Sequence, residues 1–124
     1  MNTTVLPSQL GYRWPAEWEP HASTWLAWPH NQDTWPGRYP KIASQFDRFV
    51  RDIAAAEPVH ILAGSDLVLA EAESWVGKLN NVCLHDIPTN DTWIRDYGPM
   101  FLQSPTNQPP ALVDWKYNAW GGKY

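Results

Sequence analysis

The sequence predicts an α/β fold with mixed strand pairing, on three observations. Apolar residues recur at three- and four-residue spacing from Tyr39 to Ala54, which marks an amphipathic helix. Short apolar runs at 24–28, 59–63 and 82–87 alternate with helical pattern. Two further strand-like runs, joined by a polar, proline-rich turn, follow residue 99. The helices exclude an all-β module.

Taken in order, Met1 to Leu10 is polar and unpatterned and reads as a frayed end. Gly11 to His21, with Trp14, Pro15, Trp18 and Pro20, fits neither helical nor strand period and reads as an ordered, aromatic-lined coil. Thr24-Trp25-Leu26-Ala27-Trp28 is a buried first strand that Pro29 ends. His30 to Pro40 loops out through the turn residues Asn31, Asp33, Pro36 and Gly37, and Trp35 and Tyr39 are expected to anchor it to the body.

The helix that follows carries Ile42, Ala43, Phe46, Phe49, Val50 and Ile53 on one face, with Asp47, Arg48, Arg51 and Asp52 between them. Pro40 suits its first turn, and Pro58 stops it because a proline ring disfavours helical geometry at the preceding residue. Val59 to Ala63 is the next strand, and Gly64 turns the chain. Ser65 or Asp66 caps a second helix whose stripe is Val68, Ala72, Trp75, Val76 and Leu79, with Gly77 at its fraying end. Val82 to Ile87 is a strand, Met100-Phe101-Leu102 starts another, Ser104 to Pro110 turns, and Ala111 to Tyr117 is the last.

A chain of 124 residues can bury one sizeable core, so one domain spanning 1–124 is expected. Nine basic against thirteen acidic side chains leave a net charge of −4 with no basic run to follow a phosphate backbone, which argues against nucleic acid. No apolar run approaches the ~20 residues of a membrane span, and Met1 to Arg13 has no basic leader followed by an apolar core. A cytoplasmic protein with no membrane partner is expected, and a lone cysteine fits a reducing compartment. A nucleophilic Cys83 would need a partnered base, and His85 shares its strand face; a free cysteine in an apolar run otherwise reads as an inert core residue.

The densest chemistry lies in Thr89-Asn90-Asp91-Thr92-Trp93-Ile94-Arg95-Asp96-Tyr97-Gly98-Pro99, bounded by Pro88 and Gly98-Pro99 and therefore placed on a loop. If 93–96 takes a helical turn, Trp93 and Asp96 point the same way and offer a carboxylate beside an aromatic face. That pair suits a flat organic cation, since a guanidinium donates a fork of hydrogen bonds to a carboxylate while its face lies on an indole. The structural alternative is an Asp96 that accepts backbone N–H groups in the turn and a Trp93 that is core.

Three stretches together resemble a known family. Pro15-Ala16-Glu17-Trp18-Glu19-Pro20-His21 with Thr24-Trp25-Leu26-Ala27-Trp28-Pro29, the loop just quoted, and Asn118-Ala119-Trp120-Gly121-Gly122-Lys123-Tyr124 resemble, in the same order, the agmatine deiminases and bacterial-type peptidylarginine deiminases. The resemblance covers nearly the whole chain but only the opening portion of such an enzyme. It implies an incomplete part of a five-bladed ββαβ propeller of the guanidino-group-modifying superfamily, the pentein fold. It also implies hydrolysis of a guanidinium to a ureido group with release of ammonia, in which a cysteine attacks the guanidinium carbon, a histidine moves protons and carboxylates hold the cationic nitrogens.

Carried over by position, the resemblance makes Asp96 the catalytic carboxylate that grips the guanidinium and Trp93 the tryptophan beside the reacting end. Asn90, Asp91 and Arg95 are expected to brace the loop, and Trp120 and Gly121 either line the pocket or form a tight turn beneath it. His21, His30, His60, His85 and Cys83 are not in the family's catalytic context and read as structural, so the nucleophile is expected beyond Tyr124 and the 124-residue chain to be catalytically silent. No cofactor and no metal are implied. The partner is a small guanidinium substrate, agmatine or arginine, and a homo-oligomer is compatible with the sequence. A Trp-rich module that stacks on sugars or cationic peptides is the alternative from outside enzymes.

Overall fold

The computed structural model describes residues 5–106 and 108–122, which fall into two compact units. One comprises residues 21–94. The other is made of the stretch before residue 21 and the stretch from residue 95 onward.

In the first unit β1 (Thr24–Ala27), β2 (Val59–Leu62) and β3 (Val82–His85) form a parallel sheet in that order. The register sets Trp25 opposite His60 and His60 opposite Cys83. The crossovers are α1 (Ile42–Ala54) and α2 (Asp66–Val76). Alternate strand residues face opposite ways, so Val59 and Ile61 turn to one side and are fully buried there. On that side they pack with Val50 and Ala54 of α1, Ala72 and Val76 of α2, and Trp28. Phe46, an expected stripe residue, meets Trp28 edge-on with ring centroids 5.3 Å apart. The buried indole N–H of Trp28 donates to Glu71 Oε2 at 3.1 Å, so its burial leaves no orphaned donor.

Pro40 lies in a 3₁₀ turn (Tyr39–Lys41) that leads into α1, and Asn81 Nδ2 donates to the Ala54 carbonyl at 2.9 Å where α1 ends. At the start of β1, Thr24 Oγ1 donates to Glu57, and His21 Nδ1 lies 3.3 Å from the same carboxylate. Gly64 follows β2 where no side chain fits, because a Cβ there would meet the backbone of Ile87 and Pro88. Ser65 caps α2 at a φ of 83°, and its amide donates to Asp86 Oδ1 at 3.3 Å.

In the second unit β4 (Met100–Leu102) pairs antiparallel with β5 (Ala111–Val113), and Arg13 bridges to Gln103 beside them. The strand expected to run to Tyr117 stops at Val113. Met100 pairs with Val113, and the pairing between the two strands ends there. Cys83, expected in the core, is exposed: it points to the sheet face opposite the helices. No helix among the described residues is long and apolar enough to cross a membrane.

Two outcomes test this packing. Gly64→Ala should lower unfolding stability by about 1–3 kcal/mol in urea, the range of an overpacked core site, and an unchanged midpoint would contradict the close approach to Pro88. Arg13 hydrogen-bonds Glu19, and with the Ala16 amide it holds the Glu19 carboxyl down at about 2. A depressed carboxylate stabilises above its unfolded value and loses that contribution as pH falls through the folded one. The Arg13–Glu19 contribution should therefore fade between ordinary carboxylate pH and about 2, and a carboxyl NMR titration should find Glu19 there and rising in Arg13→Ala.

Candidate active site

Parallel sheets place ligand sites beyond the carboxyl ends of their strands, where the connecting loops converge. Two such loops meet here. The one after β1 carries Thr34 in a 3₁₀ turn (Gln32–Thr34) whose cap, Asn31 Oδ1, accepts from the Asp33 amide at 3.1 Å. The one after β3 carries Asp91, which is 4% exposed and is the buried polar side chain of the described residues. Thr34 Oγ1 donates to Asp91 Oδ2 at 2.6 Å, and the Thr92 amide donates to Asp91 Oδ1 at 2.7 Å. Thr92 Oγ1 donates in turn to the Ala27 carbonyl at 2.7 Å, which pins the loop to the end of β1.

Trp93 follows this anchor directly. It is 42% exposed rather than core, and its ring tilts against Trp35 with centroids 6.5 Å apart. Trp35 leans on Tyr39 at the same separation, and the Tyr39 hydroxyl reaches the Pro29 carbonyl at 3.4 Å. The aromatic anchors expected for the 30–40 loop thus form a row that ends in Trp93. Burial, then the charge of Glu71, raises the Tyr39 phenol above its ordinary value.

A helical turn occurs one residue later than the expected 93–96, as α3 (Ile94–Tyr97), so Trp93 lies outside it, and the boundary between the two units falls within it, after Ile94. Trp93 therefore belongs to the first unit and Asp96 to the second. Asp96 is exposed, and no hydrogen bond or ion pair to its carboxylate occurs among the described residues. Neighbouring Arg95 pairs with Glu17, an acidic residue of the coil before β1. Of the three expected braces, Asp91 holds the loop backbone from within the sheet unit, Arg95 ties to Glu17, Asn90 is exposed, and none of the three bonds to Asp96.

The segment after β5 forms the tight-turn alternative. Ala119 and Trp120 both lie at φ 51°, followed by Gly121 and Gly122 at φ 86° and 80°, a run of left-handed backbone. The Gly122 and Gly121 amides donate to the Asn118 carbonyl at 2.7 and 3.1 Å. Trp120 stands edge-on to Tyr117, which tilts against Tyr97 of α3. Lys123 and Tyr124 lie outside the described residues.

Thr34 was not legible as a site residue, because nothing local distinguishes a threonine that meets an aspartate 57 positions later. His60 and His85, read as structural, have neighbouring ring nitrogens 2.9 Å apart under Trp25, with Cys83 beside them.

Comparison with known proteins gives this geometry a family. The chain is 37% identical to agmatine deiminase of Stutzerimonas stutzeri over 97% of its length and 36% identical to that of Pseudomonas aeruginosa over 98%, in each case across 32% of the relative. The solved agmatine deiminase of Enterococcus faecalis superposes with a TM-score of 0.81 at 29% identity, covering 94% of this chain and 31% of that one. The chain thus spans about a third of the length of the curated relatives it matches. Its α/β fold is that of these structures, consistent with part of a five-bladed ββαβ propeller. The model of the Porphyromonas-type peptidyl-arginine deiminases matches residues 13–124, and the chain belongs to that family.

Proposed function

We propose that this chain is the N-terminal portion of an agmatine deiminase, which hydrolyses the guanidinium of agmatine to a ureido group. The products are N-carbamoylputrescine and ammonia, a step towards putrescine. The observation that carries this reading is an exposed Asp96 carboxylate with no bonding partner among the described residues, in the loop whose backbone Asp91 anchors. The names of the relatives supply the substrate. Both units are read as parts of one deiminase domain, cytoplasmic in location.

The chemistry follows from the groups. A guanidinium spreads its positive charge over three nitrogens, and a carboxylate that accepts two of its N–H groups fixes both charge and orientation. A thiolate then adds to the guanidinium carbon, ammonia leaves, and water displaces the sulfur to give the ureido product. In this reading Asp96 holds the cationic nitrogens and Trp93 offers its indole face beside the reacting carbon. The nucleophilic cysteine and the proton-moving histidine are supplied by residues outside 1–124.

A second reading, a deiminase of peptidyl or free arginine, is favoured by the description of the family model. The two substrates differ at the end remote from the guanidinium, where agmatine has an amine and arginine a carboxylate, so the charge of the distal pocket decides between them. The Trp-rich binding module loses its support, since residues 13–124 match a deiminase family.

In an enzyme of family length that contains these 124 residues, Asp96→Asn should lower kcat/KM for agmatine by about 100-fold or more, the scale of losing a group that stabilises charge in the transition state. Ammonia release from agmatine, free arginine and an arginyl peptide is the assay. Near-normal turnover in the variant would remove Asp96 from the mechanism, and faster turnover of arginyl peptide than of agmatine would select the second reading.

A further inference from the structure

The sheet face turned away from α1 and α2 carries a group of metal-ligand side chains that the deiminase chemistry does not use. His60 on β2 and Cys83 on β3 are paired in register, and His85 lies two residues further along β3 on the same face. One nitrogen of each imidazole and the Cys83 sulfur all lie within 4.8 Å of one another. His60 Nδ1 and His85 Nε2 approach to 2.9 Å. We propose that His60, Cys83 and His85 bind a divalent transition-metal ion of the zinc type through two imidazole nitrogens and one thiolate.

The distances fit such an ion. Tetrahedral zinc with Zn–N near 2.0–2.1 Å and Zn–S near 2.3 Å sets its ligand atoms about 3.3–3.6 Å apart. Admitting the ion therefore parts the two nitrogens by a few tenths of an ångström, and no nitrogen–sulfur gap closes by more than about 1.3 Å. Side-chain rotation supplies movements of that size without disturbing the strands. The donor set also selects the ion, since a thiolate with two imidazoles favours zinc and its soft or borderline neighbours over calcium or magnesium.

The surroundings hold the ligands in place. Trp25, paired with His60 across β1 and β2, stacks on the His60 ring at 4.5 Å and 14° and on the His85 ring at 5.0 Å and 21°. One indole thus fixes the planes of both imidazoles, and a metal bonds to an imidazole nitrogen within the ring plane. Cys83 is exposed, so its sulfur is accessible to an arriving ion. Three protein ligands leave a fourth position for water or an exchangeable ligand. The proposal does not rest on the deiminase reading, and it departs from the absence of metal that the family resemblance implies.

The test is titration of the reduced, metal-free full chain with cobalt(II), followed by zinc(II). The expected result is the strong visible absorption of tetrahedral cobalt with a thiolate-to-cobalt charge-transfer band, saturating at equimolar metal and removed by zinc. Cys83→Ser should abolish the charge-transfer band, and His60→Gln and His85→Gln should each weaken binding at least about tenfold. Zinc should also slow alkylation of Cys83 in the unaltered chain. A titration of the unaltered chain without the charge-transfer band overturns the proposal, and so does a band of undiminished affinity when both histidines are replaced.

Discussion

The placement of the loop that presents Trp93 depends on one hydrogen bond between distant loops, Thr34 Oγ1 to Asp91 Oδ2 at 2.6 Å. An aspartate that is 4% exposed must find partners, because a buried carboxylate without them is costly. Asp91 finds one in the loop after β1 and another in the backbone of its own loop, and Thr92 adds a bond to the end of β1. The segment that presents Trp93 is thus clamped to the rigid sheet at its base. A loop held this way can place an aromatic face in the open without spending the flexibility of the chain to do so.

The periodic part of the fold was legible because it is local. The helix over 42–54, its stop before Pro58, the cap at Ser65 and the three apolar strands all follow from residues within a few positions of one another. Cys83 was misread for a related reason. Val82-Cys83-Leu84 looks apolar throughout, yet both helices pack on the same face, so Val82 and Leu84 meet the core while Cys83 turns away from it. The last strand ends before its apolar run does because its length is set by its partner β4, whose pairing stops at Met100.

The candidate site was legible in part. Asp91 was expected to brace the loop by holding Asp96, whereas it bonds Thr34 and the Thr92 amide, and the pairing of Arg95 with Glu17 links residues 78 positions apart. Trp93 and Asp96 are each exposed, which local pattern could not decide, since a core tryptophan and a turn-capping aspartate have the same sequence context. The two units also differ in how they use apolar side chains. Residues 21–94 close a core around Trp28 and Ile61, whereas Trp14, Trp18, Phe101, Leu112 and Trp115 in the other unit are all at least half exposed. The helix-packed parallel sheet is therefore the element that fixes loop positions.

The most direct test of the account is a double-mutant cycle on Thr34→Val and Asp91→Asn, read by urea denaturation of the full chain. A shared buried hydrogen bond predicts a coupling energy of about 1 kcal/mol or more between the two changes. Strictly additive losses would mean that Thr34 and Asp91 do not act together, and the anchored loop would have to be abandoned.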